Sequence, residues 1–384
     1  MNLWLLVASF YLLPLIISFW MIQARGQLLG DFAFAPVYSS WWQLGLIGLI
    51  YLLPGVAFAI TINLFSKIKI KSFYRTGTKI YKSLDSKLLF RILILATLGA
   101  AIFGLPTISG GEGGNRVSPI QNLILYLNPS ILFMLISISN ASLRDLLISA
   151  CCLIFIGFVQ LSLLPLVIVA VGISIWWFVR YPVSLLKFIS LMFLIVVGVN
   201  FGKDYVYFLY DIRNNARGAA DIFDIDQLFV YAIGRINSFS SLYYLWDDKC
   251  CEVRADYFYL ITNVLERFIG VDLPSFSSSE AFNQKYLEAG SGVYSIFASY
   301  AGQFVIDYNS DGLLFFTSTF SALILLFVTY YLIPYPPIKE KIPIFFLFIF
   351  PVYLSGDAWE FSVFMRSLVI VNIILFFSMK LHSK

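Results

Sequence analysis

Four arginines in the segment 202–311 are candidates for binding an anionic group: Arg213, Arg217, Arg235 and Arg254. A guanidinium group binds a phosphate or carboxylate through two parallel hydrogen bonds, whereas a lysine ammonium acts as a point charge. Because the short basic loops elsewhere in the chain use mostly lysine, the choice of arginine here favours recognition of an anionic group. The alternative is that these arginines pair with acidic residues of the same segment.

A glycine-rich turn is a second candidate for binding an anionic ligand. Four glycines between Gly110 and Gly114 surround Glu112, and Arg116 follows shortly after. Glycine lets the backbone approach a ligand closely. The turn is not a P-loop, because it lacks the Lys-Ser/Thr pair that completes that motif. A plain flexible turn is the alternative, and it is the stronger interpretation for this segment taken alone.

Ionisable residues also lie at the last apolar run of the chain. Arg366 stands inside that run at a depth of about 9 Å for a helix, where an unpaired guanidinium would cost roughly 1–3 kcal/mol. Arg366 therefore pairs with Glu360 or Asp357, snorkels outward, or lines a polar cavity open to the external face. Glu360 and Asp307 are the two candidate proton acceptors, since each is an acid beside the end of an apolar run.

Metal and triad chemistry are not expected from the remaining residue types. The single histidine, His382, lies in the C-terminal tail, where it can organise neither a zinc site nor a Ser-His-Asp triad. The four cysteines form two adjacent pairs without the spacing of a metal motif. We therefore expect neither a metal ion nor a cofactor.

The elements that must position these residues are membrane helices. The chain is 60% hydrophobic and 12% charged, whereas soluble proteins are roughly half apolar and a quarter charged. Ten apolar runs approach the length of about 20 residues that crosses a bilayer. They cover 3–22, 43–65, 88–106, 119–138, 146–160, 164–179, 185–201, 312–333, 343–356 and 361–379. The predicted fold class is an all-α polytopic membrane protein with about ten transmembrane helices, in a range of about nine to twelve.

The distribution of lysine and arginine predicts the orientation of these helices. The connection 66–87 carries seven bases against the single acid Asp85, which makes it cytoplasmic. Threading ten spans from this loop places 14 bases and 3 acids on the cytoplasmic side, and ten bases and 19 acids on the opposite face. Two further bases, Arg91 and Arg366, fall inside spans. No basic surface for nucleic acid results.

The order of the predicted spans divides the chain into three parts. Residues 1–201 hold seven spans, the basic cytoplasmic loop 66–87 and the glycine-rich external loop 107–118. Residues 202–311 form one large external loop with amphipathic helices, and residues 312–384 hold three spans.

Local patterns add detail to this outline. A helix is predicted from Asp256 to Gly270, with Tyr257, Leu260 and Val264 among the residues of its apolar stripe. A short aromatic helix is predicted from Tyr294 to Tyr308. The apolar stretch 146–179 is too long for one helix, and Gln160, Ser162 and Pro165 supply a break.

Several of these features together resemble the Wzy-type O-antigen polymerases, a family that joins lipid-linked oligosaccharide repeat units in the bacterial inner membrane. The resemblance rests on the number of spans, the large external loop and the turn Gly110–Arg116. It also rests on Gly292-Val-Tyr294-Ser-Ile-Phe, Tyr300 and Ile306-Asp307-Tyr308-Asn-Ser-Asp-Gly312 before a span. The chain departs from the family in having Tyr308 for the Phe of an Asp-Phe-Gly-like end, and in lacking an arginine–glycine pattern in the large loop.

The resemblance implies a glycosyltransferase with GT-C-like architecture, an active site on the periplasmic face and metal-independent transfer. A glycan on undecaprenyl pyrophosphate would move to a sugar hydroxyl of a second lipid-linked repeat unit. Glu360 or Asp307 would accept the proton of that hydroxyl. The expected substrate contacts are Arg116, Arg217 and Arg235 on the pyrophosphate, Arg366 as a brace of the cavity, and Arg213, Arg254 and Tyr294.

The implied partners are the two lipid-linked oligosaccharides and membrane lipid, with a chain-length regulator left open. An O-antigen ligase is one alternative function, but such ligases rely on an external histidine, which this chain lacks. A transporter or flippase of lipid-linked sugar is the other, and such proteins usually show internal repeats. Tyr243, Tyr244, Trp246 and Trp359 either stack on sugar rings or anchor at the membrane interface.

Overall fold

The computed structural model describes residues 11–28, 37–65, 78–104, 124, 126–139, 141–160, 164–180, 208, 211–212, 239–247, 255–269, 299–332 and 364–374. Helices dominate these ranges, and we number them in chain order. They are α1 (Leu13–Arg25), α2 (Trp41–Phe65), α3 (Thr78–Phe103), α4 (Pro129–Ile138), α5 (Leu143–Val159), α6 (Leu164–Arg180), α7 (Phe239–Asp247), α8 (Tyr259–Ile269), α9 (Ser299–Ser310), α10 (Gly312–Leu332) and α11 (Phe364–Ile374).

The chain divides into two compact units. The first comprises residues 1–69 and 226–366, and the second comprises residues 70–225 and 367–384. The first unit therefore contains α1, α2 and α7 to α10, whereas the second contains α3 to α6. Each unit combines segments that are far apart in the sequence.

Within the described ranges, two helices are long and apolar enough to cross a bilayer, Trp41–Phe65 and Gly312–Tyr330. α2 begins with a capping box, in which Ser40 N–H donates to Gln43 Oε1 at 2.9 Å and Gln43 N–H donates to Ser40 Oγ at 3.4 Å. One face of α2 is buried through Leu44, Ile47 and Tyr51. Its outward face is also apolar, which suits contact with lipid rather than with water.

The other predicted spans have mixed outcomes. The runs 185–201 and 343–356 lie outside the described residues. The run 146–179 is two helices, α5 and α6, and they separate after Gln160 as the sequence predicts. The second half of the connection 66–87 is helical, because α3 begins at Thr78. Charged residues such as lysine are good helix formers, and no glycine or proline interrupts the chain there.

In the second unit, α4 and α6 approach each other closely at Gly172. A Cβ atom at Gly172 would collide with the ring of Phe133 and would lie 2.7 Å from Ser137 Oγ. Ser137 and Phe133 are both fully buried, and Ser137 Oγ donates to the carbonyl of Phe133 at 2.9 Å. Small residues at this crossing let the two backbones come together, as at helix contacts within membranes.

Arg180 joins the end of α6 to the segment that follows α4. Its guanidinium donates to the carbonyls of Ser139 at 2.6 Å and Ala141 at 3.0 Å. A third hydrogen bond goes to the carbonyl of Trp176 at 3.2 Å, and the guanidinium carbon lies 4.4 Å from the centre of the Trp176 ring. The C-terminal ends of α4 and α6 therefore lie side by side, as expected where α5 runs between them in the opposite direction.

In the first unit, α7 packs by its buried Phe239. The Phe239 ring makes edge contacts with Phe19 of α1, with 5.5 Å between ring centres, and with Tyr51 of α2, with 6.1 Å. Tyr243 is also buried, and its hydroxyl lies 3.0 Å from Ser39 Oγ. The structure therefore assigns Tyr243 to packing, and the prediction that it stacks on a sugar ring is wrong. Trp246 is partly exposed.

Candidate functional site

A fully buried carboxylate, Asp307, is the centre of the candidate site. Its side chain lies on α9 and has 0% exposure. The Tyr259 hydroxyl donates to Asp307 Oδ2 at 3.3 Å, and Gln303 Nε2 lies 3.5 Å from Asp307 Oδ1. Tyr259 and Gln303 are themselves buried. Each carboxylate oxygen therefore has a neutral donor beside it, which offsets part of the free-energy cost of burying the charge.

Helix periodicity brings Gln303 to Asp307. The two residues stand four positions apart on α9, the spacing at which side chains on a helix are neighbours. The same helix buries Ala301, Val305 and Ile306, and it packs against α2, α7 and α10. The helix that carries the carboxylate thus packs against three helices of the first unit.

A constrained turn brings Tyr259 to the same carboxylate. Phe258, the residue before α8, has a φ of 63°, a left-handed conformation that bulky side chains rarely adopt. Its carbonyl accepts from the N–H groups of Ile261 and Thr262 at 2.9 and 3.0 Å, so that α8 starts at this point. The turn places Tyr257 and Tyr259 on either side of Phe258, and each reaches a different aspartate.

The second tyrosine forms an exposed pair with Asp311. The Tyr257 hydroxyl donates to Asp311 Oδ2 at 2.6 Å. Asp311 Oδ1 also accepts from the N–H of Leu313 at 3.0 Å, which caps the first turn of α10. The Tyr257 hydroxyl and then the Leu313 N–H hold the pKa of Asp311 below its usual value. The hydrogen bond to Asp311 in turn raises the pKa of Tyr257.

The predicted helices in this region begin and end differently from the observed ones. The helix expected from Asp256 begins at Tyr259, so Tyr257 lies outside it and is 49% exposed. The buried positions of α8 include Tyr259, Leu260 and Val264. The helix expected over 294–308 is α9, which continues to Ser310, so Asp307 lies within it. The left-handed turn at Phe258 delays the start of α8, and the sequence carries no glycine to signal it.

The other predicted site residues are only partly described. Arg366 lies at the start of α11, is partly buried and belongs to the first unit, as does Asp307. The remaining predicted residues are outside the described ranges: Glu360, Arg116, Arg213, Arg217, Arg235, Arg254 and Tyr294. Of the two candidate proton acceptors, Asp307 is therefore the one with observed geometry.

Tyr259 and Gln303 are residues that sequence analysis missed. Gln303 had a readable signal, since it stands four residues before Asp307 and the segment was predicted to be helical. Tyr259 had none, because it is 48 residues from Asp307 in the chain. In chemical terms, a donor on each oxygen restricts the orientation of a carboxylate, and an ionised carboxylate in a fixed orientation can act as a proton acceptor.

Comparisons of the chain with protein-family models, with curated proteins and with solved structures found no match.

Proposed function

We propose that this protein is a membrane glycosyltransferase that joins undecaprenyl-pyrophosphate-linked oligosaccharide repeat units into an O-antigen or related surface polysaccharide. The observation that carries the proposal is the burial of Asp307. This aspartate lies in the stretch 292–312, which carries the resemblance to Wzy-type polymerases, and it comes just before a helix that is long enough to cross a bilayer. A buried, hydrogen-bonded carboxylate at such a place is typical of a functional residue.

The proposed membrane arrangement is about ten spans in the bacterial inner membrane, with a GT-C-like architecture and the large loop on the periplasmic face. The apolar outward face of α2 supports contact with lipid. Arg144 and Arg180, which the charge count assigns to the cytoplasmic side, belong to the helix ends that the Arg180 hydrogen bonds bring together. This proximity supports the proposed threading of α4, α5 and α6.

In the proposed reaction, a sugar hydroxyl of the acceptor attacks the anomeric carbon of the donor glycan. A carbon–oxygen bond forms between the two sugars, and the bond from the anomeric carbon to the pyrophosphate oxygen breaks. Asp307 takes the hydroxyl proton, with Glu360 as the other candidate. The departing undecaprenyl pyrophosphate takes the bonding electron pair, and it binds to Arg116, Arg217 and Arg235, with Arg366 bracing the cavity.

Energy for this transfer is stored in the pyrophosphate linkage of the donor, so the reaction requires no nucleotide. Arginine suits the leaving group because its planar fork binds two phosphate oxygens at once. Arg213, Arg254 and Tyr294 are the further proposed substrate contacts. The proposed partners are the lipid-linked donor and acceptor, membrane lipid and a chain-length regulator.

A deletion strain tests the function against its alternatives. Loss of a polymerase leaves a single repeat unit on the lipid core at the cell surface. Loss of a ligase leaves a bare core, and loss of a flippase traps lipid-linked intermediates on the cytoplasmic side. The proposal fails if the deletion strain still makes a polymer ladder, or if it shows either of the other two phenotypes.

Charge reversal tests the proposed role of the arginines. Arg116→Glu, Arg217→Glu, Arg235→Glu and Arg366→Glu are each returned to the deletion strain on a plasmid. Shortened glycan ladders at equal protein levels are the expected result, since a reversed charge repels the pyrophosphate. Wild-type ladders from all four variants would contradict a pyrophosphate site built from these residues.

A further inference from the structure

Tyr259 and Gln303 divide the two oxygens of Asp307 between them. Tyr259 donates to Oδ2 at 3.3 Å, and Gln303 Nε2 lies 3.5 Å from Oδ1. The two donors come from different helices, so they fix the carboxylate from two directions. Two contacts on opposite oxygens also restrict rotation of the carboxylate plane. An aspartate side chain at the surface, without such contacts, rotates more freely.

From this geometry we infer that Tyr259 and Gln303 are positioning residues, which orient Asp307 to accept the proton of the acceptor hydroxyl. The inference rests on the proposed function, because it assigns roles within that reaction. Tyr259 contributes more than Gln303, since its hydroxyl comes from a separate helix and its contact is the shorter one. Neither residue is expected to touch the reacting sugars.

Asp307 lies only one helical turn from the molecular surface. Asp311, four residues further along, is exposed, and its N–H donates to the carbonyl of Asp307 at 3.0 Å. Tyr257, two residues before Tyr259, is exposed as well. The buried carboxylate therefore lies close to the surface turn at Phe258.

The molecule supplies a matched control for this inference. Tyr257→Phe removes the same hydroxyl group from the same short segment as Tyr259→Phe, and it also leaves an aspartate without its tyrosine donor. The difference is that the Tyr257–Asp311 pair is exposed and outside the proposed site. Other described titratable side chains on the surrounding helices and turns are Tyr51, Tyr243, Asp256, Glu266, Tyr308, Asp311 and Tyr330, and these are unchanged in Tyr259→Phe.

The experiment measures chain extension by the purified full-length protein in lipid nanodiscs, with a synthetic lipid-pyrophosphate repeat unit, as a function of pH. A hydroxyl that donates to a carboxylate favours its ionised form. Tyr259→Phe is therefore expected to lower the maximal rate about tenfold and to move the acid limb of the pH profile to higher pH. Gln303→Leu is expected to show the same displacement to a smaller extent, and Tyr257→Phe none.

Three outcomes separate the possible failures. A rate that falls equally at all pH values in Tyr259→Phe, with the acid limb in its original place, assigns Tyr259 a structural role and overturns the inference. An unchanged rate overturns it as well. If the wild-type protein extends no chain, whereas the deletion strain has a ligase or flippase phenotype, the proposed function is the part that fails. Thermal unfolding of each variant in detergent shows whether the protein is folded.

Discussion

Two tyrosine–aspartate pairs stand next to each other in the first unit, and they differ mainly in burial. Tyr257 and Tyr259 flank one residue, and Asp307 and Asp311 lie one helical turn apart. The exposed pair has a short hydrogen bond of 2.6 Å, whereas the buried pair has a longer one of 3.3 Å. Distance alone would therefore rank the exposed pair as the stronger interaction.

Burial reverses that ranking. Water competes for both partners of the exposed pair and screens their charge, so such pairs contribute little to stability. The carboxylate of Asp307 has no such competitor, so each donor that it keeps replaces a lost contact with water. The comparison teaches that identical side chains, a few residues apart, occupy different environments: Asp311 caps a helix at the surface, whereas Asp307 is buried between two donors.

The largest difference between the two pairs is expected when each aspartate is replaced by asparagine in turn. Asp307→Asn is expected to lower chain extension by about 100-fold or more, because an amide does not act as a proton acceptor. Asp311→Asn keeps a side chain that can cap α10, so its activity is expected to stay near that of the wild type. Glycan length on a gel, at equal protein levels, reports both effects.

Glu360→Gln serves as the companion variant, since Glu360 is the other candidate acceptor. Full activity in Asp307→Asn together with loss in Glu360→Gln would transfer the role of base to Glu360. Equal, mild losses in Asp307→Asn and Asp311→Asn would show that burial does not separate the two aspartates.

Removing each tyrosine hydroxyl in turn compares how much the two hydrogen bonds contribute to the free energy of unfolding. Tyr259→Phe withdraws a donor from a buried carboxylate, and we expect a loss of about 2–3 kcal/mol in the free energy of unfolding. Tyr257→Phe is expected to cost much less, because water competes for the exposed hydrogen bond. Denaturant or thermal unfolding in detergent measures the difference. Equal losses for the two variants would contradict a dominant effect of burial.

A similar comparison in the second unit is between two arginines, one that binds backbone carbonyls and one that is exposed. Arg180 reaches backbone carbonyls at the end of α4 through its planar fork, whereas Arg144 at the start of α5 is exposed. Arg180→Lys keeps the charge but loses the fork, and we expect a cost of about 1 kcal/mol. Arg144→Lys is expected to have no measurable effect on unfolding. Indistinguishable stabilities would show that the carbonyl contacts of Arg180 contribute nothing beyond charge.

The smallest expected effect is the pH dependence of the exposed pair. The pKa of Asp311 is lowered in the folded state, so its contribution to stability is present above the usual value of 3.8 and is lost as pH falls through the folded value. The pKa of Tyr257 is raised, so its contribution is present below 10.0 and is lost as pH rises through the folded value. The Tm difference between wild type and Tyr257→Phe should therefore be present from about pH 4 to pH 10.

Outside that interval the two Tm values should converge. Screening by solvent keeps the difference small at every pH, since both groups are exposed. A difference that persists unchanged at pH 2 would mean that the phenylalanine affects stability through packing and not through the hydrogen bond.

Local features of the fold were predictable because they depend on neighbouring residues. The break between α5 and α6 follows from polar residues and a proline within an apolar stretch. Asp307 was recognisable as a candidate because it is an acid close to the start of an apolar run. The start of α8 was predicted three residues too early, because Phe258 adopts a left-handed conformation that its residue type does not announce.

The amino-acid sequence by itself determined the helical, apolar character of the chain and the positions of several helix ends, since composition, periodicity and capping act over a few residues. Only the tertiary structure decided that Tyr259 donates a hydrogen bond to Asp307, 48 residues away, and that Tyr257 donates one to Asp311 at the surface. Only the tertiary structure decided, likewise, that Arg180 holds two carbonyls some 40 residues earlier in the chain, 41 and 39 residues away. The physical reason is that burial and long-range hydrogen bonds depend on which helices pack together, and that information is spread over the whole chain.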